Sequence, residues 1–206
     1  MTYQALSCFG IAVKDGQVIG STPFRSPGVI SVEGDWSNAA FFLAADAIGS
    51  DLTLLGLNKD SLQGDRAVVS ILKALCENIT VSAADIPDLI PILSVSAAVK
   101  SGATFTNIQR LRLKESDRVA SVIAMLNTLG IQAEATEDTL TVHPGKIQGG
   151  IVDAANDHRI AMAAAIAATV AQGPIVVLGA ECVNKSYPTF WDEYRRLGGN
   201  YEQYIR

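Results

Sequence analysis

Positive charge is scarce in this sequence, and the shortage excludes several functions at once. Sixteen Lys and Arg stand against 21 Asp and Glu, for a net charge of -5 and a pI near 5.0. Nothing therefore draws the chain as a whole to nucleic acid or to an anionic membrane surface, and any anion site must be local. Aromatic residues make up only 6%, too few for a surface on which single-stranded bases stack. The longest apolar stretch, Ile160 to Val170, has about half the length of a spanning helix, and no basic-then-apolar segment opens the chain. Cys8, Cys76 and Cys182 are scattered, which suggests reduced thiols in a cytoplasmic protein rather than a disulfide framework or a zinc site. The two histidines, His143 and His158, are too few and too isolated for a metal cluster without carboxylate help. Metal-independent chemistry is the expectation.

In place of these the chain is rich in small aliphatic residues. It is 49% hydrophobic over 206 residues, with 17 Gly and an Ala-rich run from Ala161 to Ala168, which allows a sizeable core in a single domain and close packing of backbones. The strongest organising signal is an internal repeat. Asp35-Trp-Ser-Asn-Ala-Ala-Phe-Phe-Leu-Ala-Ala runs on to Gly49 and Leu52-Thr-Leu-Leu-Gly56. Asp88-Leu-Ile-Pro-Ile-Leu-Ser-Val-Ser-Ala-Ala runs to Gly102 and Thr104-Phe-Thr-Asn-Ile108, and Asp157-His-Arg-Ile-Ala-Met-Ala-Ala-Ala-Ile-Ala runs to Gly173 and Ile175-Val-Val-Leu-Gly179. Each copy offers an Asp suited to capping a helix, an apolar stretch, a Gly stop and a short β-branched strand.

A second helix follows in each copy, from Asp65, from Asp117 and from Thr189, with apolar residues at helical spacing as in Val119, Val122, Ile123 and Leu126. The middle copy continues with Ile131 to Ala135 and Thr139 to His143, divided by Glu137-Asp138 as in a hairpin. Leu6 to Val13 and Gln17 to Ile19, around Lys14-Asp-Gly16, suggest the closing hairpin of an earlier unit. The expected division is therefore 1–30 as the end of a preceding repeat and 31–84, 85–150 and 151–206 as three further ones. Helices apolar almost all round fit a pseudo-threefold arrangement, with the Ala-rich helices buried together and the sheets outside.

Two charged segments stand out against this core. Leu111-Arg-Leu-Lys-Glu-Ser-Asp-Arg118 lies between a strand and a helix start, where free N–H groups and the macrodipole attract anions. A solvated capping turn with incidental ion pairs is the plainer account of such a cluster taken alone. Arg159 opens the most apolar helix, where a cation opposes the dipole, so a bound anion explains it better than helix stability. An ion pair with Asp157 on the surface is the alternative. Lys185, in Cys182-Val-Asn-Lys-Ser-Tyr-Pro188, occupies the same kind of strand-to-helix loop as Lys114 and Glu115. Basic residues converging from such loops would form a site for a multiply charged anion carrying phosphate and carboxylate. Asp88 has no such distinction, because helix capping accounts equally for Asp35, Asp88 and Asp157.

The combination of Val32-Glu-Gly-Asp35, Arg112-Leu-Lys-Glu-Ser-Asp-Arg118, Asn156-Asp-His-Arg-Ile-Ala-Met162 and Lys185-Ser-Tyr-Pro188 resembles the C-terminal half of the 5-enolpyruvylshikimate-3-phosphate synthases over nearly the whole chain. The resemblance implies an α/β (α+β) fold of βαβαββ repeats, three to a trefoil domain, with substrates in the cleft between two domains. It also implies transfer of the enolpyruvyl group from phosphoenolpyruvate to the 5-hydroxyl of shikimate 3-phosphate, without metal or cofactor. By motif, Asp88 would be the base and would contact shikimate 3-phosphate with Lys114, Glu115 would be the acid, and Arg118, Arg159 and Lys185 would hold phosphoenolpyruvate.

Three departures accompany the resemblance: the cationic residues of the family's N-terminal half are missing, the chain is short between Leu75 and Asp85, and Arg110 stands where many relatives have Asn. The partner expected is accordingly the N-terminal domain of the same enzyme, and the chain alone is expected to be inactive. A UDP-N-acetylglucosamine enolpyruvyl transferase-like domain and a non-catalytic anion-binding repeat domain are the competing readings.

Overall fold

The computed structural model describes residues 1–20 and 23–204. Helix α1 (Thr2–Cys8) leads into a hairpin of β1 (Val13–Lys14) and β2 (Gln17–Val18), and the next element is α2 (Trp36–Ala47). A 3-10 turn (Gly64–Ala67) continues as α3 (Val68–Ala74). The central part follows the order β3 (Ile79–Ser82), α4 (Ile90–Val99), β4 (Ala103–Thr106), a 3-10 turn (Gln109–Leu113), α5 (Arg118–Thr128), β5 (Ala133–Ala135) and β6 (Thr139–Val142). The last part repeats β7 (Gly150–Asp153), α6 (His158–Ala168), β8 (Ile175–Leu178), a 3-10 turn (Ala180–Lys185) and α7 (Phe190–Arg196). No helix among the described residues is long and apolar enough to cross a membrane.

The helices α2, α4 and α6 pack against one another in pairs and form the centre of the molecule. Residues Ile90 to Ala98 of α4 and His158 to Ala167 of α6 are all buried, as expected of helices without a polar face. Asp35 caps α2 by accepting a bond from the Ser37 N–H at 2.9 Å, and Asp157 caps α6 through the Arg159 N–H at 2.9 Å. The expected capping role fails for Asp88. Leu89 occupies the cap position of α4, no side chain bonds its first turn, and Pro91 stands where a missing N–H costs nothing. The carboxylate of Asp88 is thereby free for other partners.

The central sheet has the order β3-β4-β6-β5, with β3 and β4 parallel and the other pairs antiparallel. The expected hairpin across Glu137-Asp138 forms, pairing Ala135 with Leu140. Among the described residues the last part has only β7 and β8, parallel, with Val152 opposite Val177. The outer positions of the central sheet are Thr80, Thr104 and Thr106, whereas Ile151, Val176 and Leu178 stand at the matching places on β7 and β8 and are exposed. The matching follows from the same closing bond after each first strand, Ala83 N–H to the Thr106 carbonyl and Ala154 N–H to that of Leu178.

Two expected strands are absent. Leu52 to Gly56 forms no strand, its Leu52 N–H bonded to the Asp46 carboxylate and Leu55 open to solvent. A segment without a neighbour has no ladder to join. Leu6 to Cys8 is helical, so the expected hairpin shrinks to the two pairs around Asp15 and Gly16, both at positive φ as a tight turn of this kind requires.

Candidate active site

The N-terminal ends of α2, α4 and α6 come together at one end of the molecule. Asp88 lies just before α4, Ser37 in the first turn of α2 and Arg159 in the first turn of α6. A cavity of about 370 Å³ here is lined by Asp35, Ser37, Asp65, Asp85, Asp88 and Arg110, among others. The strand-to-helix loop after β4 brings Lys114 and Glu115 to the same end, and Asp117 caps α5 so that Arg118 becomes its first residue.

These residues form one network centred on Arg118, whose side chain has 0% exposure. Its Nε donates to Asp157 Oδ2 at 2.7 Å, Nη1 to Asp88 Oδ1 at 2.5 Å and Nη2 to Glu115 Oε2 at 2.5 Å. Asp88 is shared further: Lys114 Nζ lies 3.2 Å from Oδ1, and Arg159 Nη2 donates to Oδ2 at 3.2 Å. Burial alone would push the Asp88 carboxyl up, but Arg159, Arg118 and Lys114 outweigh it and hold its pKa down at about 2. Asp65, which accepts a short bond from the Ser37 hydroxyl, is shifted the other way, raised by burial and by Asp88 and Asp35 nearby.

Of the residues singled out in the sequence, Asp88, Lys114, Glu115, Arg118 and Arg159 are thus in direct contact. Lys185 stands beside them rather than among them. Its Nζ donates to the carbonyl and side-chain oxygens of Asn156 at 2.9 and 2.6 Å, next to Asp157 in sequence. Arg159 does not pair through its side chain with Asp157, the alternative considered for it. Its counter-ion is Asp88, and its Nε is buried without a hydrogen-bond partner. Arg110 donates to the Ala84 carbonyl at 3.1 Å and lines the cavity.

Sequence reasoning missed the second function of Asp157. It is fully buried, caps α6 with Oδ1 and binds Arg118 and Ser116 with Oδ2. Its place before the most apolar helix signals burial, but nothing in the sequence pairs it with Arg118. His158 was also passed over. It is buried, neither ring nitrogen is hydrogen-bonded, and burial and then Arg159 lower its pKa.

Chemically, the site offers cations enough to bind a ligand with several negative charges, and two carboxylates, Asp88 and Glu115, positioned among them to exchange protons. The description EPSP synthase (3-phosphoshikimate 1-carboxyvinyltransferase) matches residues 1–194. The chain belongs to the EPSP synthase family. The synthase relatives named 3-phosphoshikimate 1-carboxyvinyltransferase include that of Clostridium kluyveri, 37% identical over 229 residues, covering 99% of this chain and 53% of the relative. That of Clostridium acetobutylicum is 38% identical over 231 residues, again covering 99% and 53%.

Among solved structures, the EPSP synthase from Acinetobacter baumannii superposes with a TM-score of 0.80 at 28% identity, over 97% of this chain and 54% of that one. The enolpyruvyl transferase NikO from Streptomyces tendae shares the fold at a TM-score of 0.62 and 13% identity, over 96% and 52%. The chain spans about half the length of the curated EPSP synthase relatives it matches.

Proposed function

We propose that this chain forms one half of an active site in which the enolpyruvyl group of phosphoenolpyruvate is transferred to the 5-hydroxyl of shikimate 3-phosphate. The observation that carries the reading is the meeting of Arg118, Arg159 and Lys114 on Asp88, with Glu115 on Arg118, at the convergent ends of three helices. Arg118, Arg159 and Lys185 bind the carboxylate and phosphate of phosphoenolpyruvate, and Lys114 and Asp88 contact shikimate 3-phosphate. Asp88 takes the proton of the 5-hydroxyl as its oxygen adds to C2, Glu115 gives a proton to C3, and loss of that phosphate with a proton from C3 completes the transfer.

A carboxyl held at about 2 is a weak base. It becomes a stronger one when the negative charges of phosphoenolpyruvate draw Arg118 and Arg159 away from it and those of shikimate 3-phosphate draw Lys114, because the same cations can no longer favour its ionised form. Binding and activation of the base are thus one event. The remaining ligands come from a second domain of the same enzyme, the N-terminal one. The exposed apolar face of β7 and β8 and the helix α1, none of whose residues is buried, favour further polypeptide packed on this chain. The chain itself follows the plan of a trefoil of βαβαββ repeats, with the full order in its central part, and the enzyme works in the cytoplasm. The excess of acidic residues offers nucleic acid no general attraction.

Phosphate release from the two substrates tests the reading, using the chain alone and the chain fused to the unmatched half of the Clostridium kluyveri relative. The fusion is expected to release phosphate and the chain alone is not. A fusion that is folded by circular dichroism, binds shikimate 3-phosphate and releases no phosphate would overturn it.

A further inference from the structure

The buried carboxylate that the proposed chemistry does not use is Asp157. We propose that Asp157 is a positioning residue, which aims the Arg118 guanidinium at phosphoenolpyruvate and ties the Lys114–Arg118 loop to the start of α6. Its Oδ1 accepts from the Arg159 N–H at 2.9 Å, which fixes the carboxylate in the frame of α6, and at 3.5 Å from Arg118 Nη2. Its Oδ2 accepts from Arg118 Nε at 2.7 Å and from the Ser116 hydroxyl at 3.1 Å. The Ser121 hydroxyl in turn donates to Ser116 at 3.1 Å, so a line of bonds runs from α5 through the loop to α6.

Asp157 takes the guanidinium from the side, accepting from Nε at 2.7 Å and from Nη2 at 3.5 Å, which leaves Nη1 and the outer hydrogen of Nη2 for other partners. Here they face Glu115 and Asp88, the two carboxylates of the proposed chemistry. Such a fork grips a ligand carboxylate through two parallel bonds only when its plane is set in advance. The arrangement also explains how a fully buried arginine stays available. Glu115 and Asp88 are partly exposed and can exchange for a ligand, whereas Asp157, at 0% exposure, stays in place.

The inference rests on the reading that Arg118 grips phosphoenolpyruvate, and the test separates the two. In Asp157→Asn the remaining oxygen can still cap α6, but the new amide N–H group confronts the Arg118 Nε–H and turns a bond into a donor clash. In the fusion described above, KM for phosphoenolpyruvate should rise about tenfold or more, by the loss of a charge-assisted hydrogen bond, while KM for shikimate 3-phosphate changes by less than about threefold. Arg118→Lys should have a similar effect, and the double variant should be little worse than the worse single, since both remove the same grip. Effects that multiply in the double variant, or equal losses for both substrates, would overturn the proposal.

If Arg118→Lys alone leaves phosphoenolpyruvate KM unchanged, the assignment of Arg118 to that ligand has failed. The hold itself is then read in the 206-residue chain from the Arg118 Nε–H resonance, which should exchange slowly in the parent and quickly in Asp157→Asn. Should Asp157→Asn not fold, Ser116→Ala removes the bond to Asp157 and the one from Ser121, and no charge. It should speed exchange of the Arg118 Nε–H and raise phosphoenolpyruvate KM about threefold, and Ser116→Thr, which keeps the hydroxyl, should restore both. No change in either quantity with Ser116→Ala would overturn the proposal.

Discussion

Replacing Asp88 by Asn tests the electrostatics of the cluster with no ligand present. In the folded chain this carboxyl sits at about 2 instead of 3.8 because Arg159, Arg118 and Lys114 surround it and outweigh its burial. Holding a carboxyl that far down corresponds to roughly 2 kcal/mol of folding stability. Its side chain keeps 29% exposure, and solvent screening trims the figure to about 1 to 2 kcal/mol. The contribution belongs to the ionised form. It is complete above about pH 4, where the unfolded chain is also ionised, and it is lost as the pH falls towards 2, where the folded carboxyl takes up its proton. Urea unfolding of parent and Asp88→Asn should therefore give a gap of about 1 to 2 kcal/mol at pH 6 that narrows to about a third of that by about pH 2.5. A gap that persists unchanged at pH 2.5, or no gap at pH 6, would show that the three cations do not converge on Asp88 as described.

Two further outcomes follow from other parts of the molecule. Glu115→Gln in the fusion keeps shape and hydrogen bonding but has no acidic proton, so turnover measured by phosphate release should fall by about 10²-fold or more, with shikimate 3-phosphate binding nearly unchanged by calorimetry. Phe190 is fully buried among Phe41, Phe42, Tyr187, Trp191 and Tyr194, so Phe190→Ala should cost about 3 to 5 kcal/mol and lower Tm by about 10 °C in a thermal melt. A loss below about 1 kcal/mol would mean that α7 is not part of the cooperative core.

The repeat in the sequence made the central helices legible, because Asp35 and Asp157 cap them and their apolar runs lack a polar face. Pattern also located the hairpin at Glu137-Asp138, where turn chemistry is local. It failed for Leu52 to Gly56, since pairing depends on a neighbour that residue pattern does not encode. It failed again at Leu6 to Cys8, where seven residues of α1 satisfy their own backbone bonds. In the site, residue type and loop position brought forward Lys114, Glu115, Arg118 and Arg159. The behaviour of Asp88 was not visible, because a one-residue difference in where α4 starts separates a capping carboxylate from one that faces three cations. The partnership of Asp157 with Arg118 was equally hidden, since the two are 39 positions apart and meet only when α5 lies against α6.

The alanines of α6 act as a gauge block for chemistry that they never touch. Ala161, Ala163, Ala164, Ala165 and Ala167 are buried on α6, which packs against α2 and α4, and side chains this small let helix axes approach to the lower end of the usual 8–10 Å. The separation they set is transmitted along rigid rods to the ends where Asp88 meets Arg159 and Asp157 meets Arg118. A larger residue at Ala164 would spread the rods, and a displacement of about 1 Å at a reacting geometry is enough to cost about 10²-fold in rate. Drift in the core and drift in the site are therefore a single constraint, and a variant with every charged residue intact can lose its function through one added methylene nearly two turns away.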